Sequence, residues 1–159
     1  MVQPVPDGFH TVTPYLVIQG VNKLLDFVSH AFDAKITDSI EMPDGSVKHA
    51  EVQIGDSRVM IGEAGDGQDP MPGMLYLYVP DIDVFYAQAM AAGAESIQEP
   101  TDHFYGDRSG GVKDSCGNIW YIATHVEDVP PDELRRRAAE ATDQGQDQGQ
   151  DQGRDQGQG

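Results

Sequence analysis

The most constraining feature of this 159-residue chain is an internal repeat at an offset of 61 residues. Tyr15-Leu16-Val17-Ile18 returns as Tyr76-Leu77-Tyr78-Val79. At the same offset Val21 meets Ile82, Leu24 meets Phe85, Leu25 meets Tyr86, Val28 meets Ala89 and Ile36 meets Ile97. In each half a short apolar strand leads into a segment with helical apolar spacing: Val21, Leu24, Leu25, Val28 and Phe32 first, then Ile82, Phe85, Tyr86, Ala89 and Ala92. Gly93 is placed to stop the second helix. Three strand-like runs follow each helix, over residues 35–42, 47–54 and 58–62, then 95–101, 108–113 and 119–124. Turns at Pro43-Asp44-Gly45, Gly55-Asp56-Ser57 and 114–118 separate them. Each half is therefore βαβββ. A unit of this length present twice is no solenoid, which needs three or more copies. The expected fold is α+β, with the two βαβββ repeats (about 10–62 and 73–124) pairing their sheets into one curved mixed cup.

Two C-terminal segments follow. A short helix is expected over about 131–141, its acids early and its arginines late, as the helix dipole favours. Arg135, Arg136 and Arg137 read either as an anion patch or as a solvated helix face. From Thr142 the chain is a repeat of Asp, Gln and Gly without an apolar side chain, so 142–159 is expected to be a disordered tail and 1–141 the folded domain.

Composition narrows the function. With 10 Lys+Arg against 27 Asp+Glu, the net charge of -17 repels nucleic acid and anionic membranes alike. No apolar run reaches the roughly 18 residues of a membrane span, and the N-terminus lacks the basic and apolar regions of an export signal. Cys116 is the single cysteine, which suits a reducing cytoplasm. In the last turn, beside Asp114, it reads as a packed small side chain, since a nucleophile would need a base and a positive surround.

Strand parity separates two faces. Leu16, Ile18, Ala50, Val52, Ile54, Val59, Ile61, Leu75, Leu77 and Val79 share one parity and should pack on the helices. The other carries Thr13, Tyr15, Val17, His49, Glu51, Gln53, Arg58, Met60, Met74, Tyr76, Tyr78 and Tyr121. A solvated face would hold more Lys and Thr; this one suits an enclosed ligand cavity or a dimer interface. His49 and Glu51, two apart on one strand, share the inward face. They fit a general-base pair, a ligand pair or a hydrogen-bonded structural pair. His30 should lie on the surface, and His103 and His125 at structural strand ends or loops. The glycine-rich stretch 104–111 is expected to be a tight loop on the rim. There Arg108 either forks onto an anionic group or locks the loop together with Asp107. The stretch does not match a dinucleotide or Walker motif, and no cofactor is expected.

The runs GFHTVTPYLVI (8–18), HAEVQIGDS (49–57), FYGDRSGGVKDSCGN (104–118) and IATHVEDV (122–129), set in this duplication, resemble the vicinal oxygen chelate superfamily, in its PhnB-like glyoxalase/bleomycin-resistance-type branch. The resemblance implies the glyoxalase/bleomycin resistance/dihydroxybiphenyl dioxygenase-like fold. It also implies, in the superfamily's enzymes, a divalent metal held by His, Glu or Gln at four points of the cup. Those points fall at about Thr13, Gly62, Met74 and Tyr121, with Glu63 in place of Gly62 if the register slips by one. Imidazole or carboxylate is wanted there, so the expected metal ligands are none. The function expected is a metal-free, cytoplasmic, homodimeric binder of a small aromatic or amphipathic ligand. The ligand would meet Tyr15, Gln53, Met60, Met74, Tyr76, Tyr105, Arg108 and Tyr121. The alternatives are a glyoxalase-like lyase or isomerase, or another enzyme, using His49 and Glu51, and a structural or regulatory dimer without a small ligand.

Overall fold

The computed structural model describes the backbone of residues 1–150 and the side chains of residues 1–145. The first half folds as β1 (Tyr15–Ile18), α1 (Val21–Phe32), β2 (Lys35–Glu41), β3 (Val47–Ile54) and β4 (Ser57–Glu63). The second repeats it as β5 (Met74–Tyr78), α2 (Ile82–Ala91), β6 (Glu95–Asp102), β7 (Asp107–Lys113) and β8 (Ile119–His125), and α3 (Pro131–Gln150) follows. Each half forms a four-stranded mixed sheet, in the orders β1-β4-β3-β2 and β5-β8-β7-β6. The first strand lies parallel to the last in both, and the other neighbours are antiparallel.

The helices seal one face of each sheet. Helix α1 buries Val21, Leu24, Leu25, Phe27, Val28, Ala31 and Phe32 and packs on β3, β4 and α2. Helix α2 packs on β6, β7 and β8, burying Ile82 and Ala89. Phe32 meets the fully buried Trp120 of β8 at 5.0 Å between ring centres, so one core runs through both halves.

The repeat extends to the way each helix is anchored. Glu63, at the end of β4, accepts hydrogen bonds from Gly20 N and Val21 N at the start of α1. Thr124, 61 residues on, accepts from Ile82 N at the start of α2. Both satisfy amide groups that a helix N-terminus leaves without partners. Below α1, the buried Asp114 accepts from Cys116 N, Asn118 N, Asn118 Nδ2 and Trp120 Nε1, which shapes the 114–118 turn and pins Trp120.

Two expectations are corrected. The strand-like run expected over 108–113 forms as β7, an interior strand, but residues 107–111 are not also part of a rim loop, and only 103–106 turns. Gly110 and Gly111 mimic a loop signal but serve close approach. A Cβ at 110 would stand 3.0 Å from Gln98 O, and one at 111 would stand 3.0 Å from the Tyr121 ring. The C-terminal helix does not stop near residue 141 but continues through 142–150, where a disordered tail was expected. Adding residues to a formed helix is cheap compared with nucleating one. The expected disorder of 151–159 lies outside the described residues. No helix among the described residues is long and apolar enough to cross a membrane.

Candidate functional site

The sheet faces turned away from the helices carry the polar and aromatic side chains, and the two faces are chemically different. On the first sheet Tyr15 pairs in register with Met60 and Glu51 with Met60, while His49 pairs with Gly62. The Tyr15 ring reaches over Gly62: a Cβ there would lie 2.6 Å from its hydroxyl. That hydroxyl shares a hydrogen bond with His49 Nδ1 at 3.2 Å. His49 Nε2 stands 4.0 Å from Glu51, beyond hydrogen-bond length, and Glu51 is drawn towards Arg58 at 3.8 Å. Arg58 also donates to Gln53 and Thr37, and its guanidinium lies 5.2 Å from the ring centre of Phe9, so the N-terminal segment covers this end of the face.

On the second sheet the register aligns Tyr76 with Tyr121 and Gly111, Tyr78 with Ala123 and Ser109, and His125 with Asp107. Glycine, serine and alanine leave a shallow floor, and the tyrosines of β5 lie across it. The hydroxyls of Tyr78 and Tyr76 donate to Asp107 Oδ2 at 2.9 and 3.4 Å. Tyr76 stacks on Tyr121 at 6.2 Å and 13°, and touches Tyr78 at 5.3 Å. Asp107 is buried, and its other oxygen accepts from His125 Nδ1 at 2.8 Å, while His125 Nε2 donates to Asp128 at 2.7 Å. His103 stacks on Tyr105 at 5.1 Å beside this group, and its Nε2 is buried without a partner.

The electrostatics follow from these bonds. Burial acts to raise the Asp107 carboxyl, but the bonds from His125 and Tyr78 outweigh it and hold it below its ordinary 3.8. Burial, reinforced by Tyr105 and Asp107, pushes the Tyr76 hydroxyl up to about 12. The hydrogen bond to Asp107 raises Tyr78 as well. The bonds to Asp107 and then to Asp128 raise His125 above its ordinary 6.5. A raised histidine stabilises the fold fully below 6.5, and the contribution fades as pH climbs through the higher folded value. By NMR titration the His125 ring is expected to titrate above 6.5 in the wild type and to fall back towards that value in Asp107→Asn. An unchanged titration in the variant would remove Asp107 as the cause.

The structure does not gather all the residues expected at the site. Tyr15, His49, Glu51, Gln53 and Met60 lie on the first sheet. Met74, Tyr76 and Tyr121 lie on the second, and Tyr105 in the turn before β7. Arg108 has two of its guanidinium nitrogens on Asp83 at 3.0 Å and the third on Asp102, so it ties β7 to α2 and β6 and faces no ligand space as a free fork. Arg136 is likewise paired with Glu133 and Glu140, and Arg137 with Glu127, Glu133 and the Phe104 carbonyl. Asp107, His125 and Tyr78 were not singled out as site residues in the sequence. The available signal was their shared inward parity with Tyr121, hidden once 104–111 is taken for a loop.

The four positions that would hold the superfamily's metal do not suit one. Tyr15 fills the space at Gly62, Tyr121 lies flat over Gly111, and Thr13 and Met74 offer neither imidazole nor carboxylate. Glu63, the alternative to Gly62, caps α1 from the helix-facing side. Among the described residues no group of three or more His, Cys, Asp or Glu is placed to hold an ion.

A cleft opens where the two halves meet. The free edge of β1 is bridged by the segment leading into β5, with Met71 N donating to Val17 O at 2.7 Å. Further along, β5 faces the β3–β4 hairpin and the end of α1 across a cavity of about 860 Å³. Its apolar lining comes from Phe32, Leu75, Leu77, Val79, Phe85 and Trp120, and its polar lining from Asp33, Lys35, Gln53, Asp56, Ser57 and the two β5 tyrosines. The volume lies within the range of small-molecule sites.

Known proteins share this architecture. The family model for the Glyoxalase/Bleomycin resistance protein/Dioxygenase superfamily matches residues 8–122. An uncharacterized protein of Mycobacterium tuberculosis (strain ATCC 25618 / H37Rv) is 30% identical over an alignment of 135 residues that covers 78% of this chain and 79% of that protein. Among solved structures, TioX from Micromonospora sp. ML1 superposes with a TM-score of 0.65 at 21% identity, over 74% of this chain and 99% of that one. The fosfomycin resistance protein FosX from Mesorhizobium loti superposes with a TM-score of 0.54 at 14% identity, over 72% and 90%. At such identities the two structures share the fold alone.

Proposed function

We propose that this chain, which belongs to the Glyoxalase/Bleomycin resistance protein/Dioxygenase superfamily, is a metal-free binding protein that takes up a small aromatic or amphipathic molecule in the cleft between its halves and leaves it chemically unchanged. The observation that carries the proposal is the cavity of about 860 Å³, lined by apolar side chains together with Tyr76, Tyr78, Gln53 and Ser57. Such a lining binds by apolar burial and ring stacking and orients its guest with a few polar bonds. The proposal includes a PhnB-like placement within the superfamily, a cytoplasmic location fitting the lone Cys116, and no role for nucleic acid or membrane. It also includes a homodimer: the edge strand β2 is exposed along its whole length, with Ile36 and Ile40 in solvent, so sedimentation should give about twice 17.3 kDa.

The test is a thermal-shift screen with small aromatic and amphipathic compounds. A compound at about 100 times its Kd should add about 2.7 kcal/mol of stability, and Tyr78→Ala should reduce that shift by removing lining area. Silence across the library at about millimolar concentration, where Kd values of that order or tighter register, would sink the proposal. The Tyr15–His49–Glu51 row supports the rival enzyme reading. A compound that is bound and also consumed, with the loss abolished in His49→Ala, would establish it.

A further inference from the structure

We infer that the ligand taken up here carries a protonated amine, which the second sheet holds on its tyrosine surface beside Asp107. The inference rests on the proposed binding function and names the chemical class of the guest.

Three observations carry it. Tyr76 and Tyr78 are among the residues that line the cleft, and their hydroxyls reach Asp107 on the outer face of the second sheet, so edge strand β5 borders both. Their hydroxyls both donate to one buried carboxylate oxygen. A phenol that donates to a carboxylate has its proton committed. Towards a guest it then presents only oxygen lone pairs and a ring made richer in electrons by the partly shifted proton. Such groups accept from an ammonium and offer nothing to a carboxylate or phosphate. Tyr121 stacked on Tyr76 widens this electron-rich surface, and Tyr78 is 66% exposed and so open to a guest.

The charges nearby point the same way. Asp107 is held ionised, and the Tyr76 hydroxyl stays protonated at neutral pH because its pKa is pushed up to about 12. His125 lies between Asp107 and Asp128, so even a protonated ring leaves this row with an excess of negative charge. On the cleft's other wall Lys35 is outnumbered by Asp33 and Asp56. The two arginines nearest the two sheet faces, Arg58 and Arg108, are bound to Glu51, Gln53, Asp83 and Asp102, and neither lines the cleft. Among the described residues no arginine lines the cavity to welcome an acid. The net charge of -17 adds a long-range attraction for cations.

The experiment compares three probes of one shape, 2-naphthylmethylamine, 2-naphthylmethanol and 2-naphthoic acid, by calorimetric titration of the full chain at neutral pH. The amine is expected to bind about tenfold more tightly than the alcohol, and the acid more weakly than either. Raising the salt to about 0.5 M should erode the amine's advantage and leave the alcohol unchanged, a measurement that needs no variant. Asp107→Asn should bring amine and alcohol to within about twofold. Tyr78→Phe, which keeps the ring and removes the hydroxyl, should narrow the gap even if the Asp107 variant folds poorly. An alcohol that binds as tightly as the amine, or an amine advantage indifferent to salt and to both variants, overturns the inference and leaves the binding function standing. Failure of all three probes removes both.

Discussion

Asp114→Ala is expected to lower stability by about 4 kcal/mol, because it strands several donors at once. The carboxylate accepts from Cys116 N and Asn118 N with one oxygen, and from Asn118 Nδ2 and Trp120 Nε1 with the other. Asn118 and Trp120 are buried, at 1% and 0% exposure, so water cannot replace the lost acceptor. At roughly 2–4 °C per kcal/mol for a domain of this size, the melting temperature should drop by about 10 °C. Asp114→Asn keeps one acceptor for the two main-chain amides but turns an NH2 group on the asparagine and indole donors. It should lose about half as much. A drop of a degree or two for the alanine variant would show that the turn and Trp120 hold without Asp114.

Gly106→Ala should be nearly as costly, for a steric reason. Gly106 has φ of 99°, and its carbonyl accepts from Val126 N and Glu127 N at 2.9 and 3.0 Å. An added Cβ would overlap the Glu127 carbonyl oxygen, which is main chain and has little freedom to give way. Positive φ alone costs about 1–2 kcal/mol for a residue with a Cβ, and the displacement brings the total to about 3 kcal/mol or more. Gly55→Ala isolates the first part: its φ is 56°, with nothing within 4 Å of an added Cβ. In chemical denaturation the two variants should therefore separate, the Gly106 midpoint falling well below that of Gly55. Equal midpoints would mean that the 103–106 turn relaxes freely. Because residue 106 adjoins Asp107, the Gly106 variant should also shift the His125 ring resonances.

The repeat made most of the fold legible. A 61-residue offset and helical spacing in both halves locate every strand and helix of the body to within about two residues, since core positions must recur where the architecture does. Parity also separated the buried face from the aromatic one, and Tyr76 and Tyr121 are found stacked together. The rest was hidden for identifiable reasons. Gly110 and Gly111 read as a loop, although their role is to let neighbouring main chain and the Tyr121 ring approach. That removed Asp107 from the strand and with it the partner of Tyr78 and His125. His49 and Glu51 share a face by spacing, but spacing cannot show that Arg58 competes for the carboxylate and Tyr15 for the imidazole. The cleft arises from how the two halves meet, which no local pattern encodes.

Tyr15 lying over Gly62 also bears on how a site of this kind changes through successive mutations. A carboxylate side chain introduced at 62 meets the Tyr15 hydroxyl within 2.6 Å of its first carbon, so it must push the Tyr15 ring aside. Loss of Tyr15 alone leaves His49 without its hydroxyl partner and uncovers the space above Gly62. The two positions are therefore coupled: the effect of a side chain at 62 depends on what stands at 15. Any side chain gained at 62 thereby also disturbs the Tyr15–His49 hydrogen bond, so a change at one edge of this face is felt at the imidazole on the neighbouring strand.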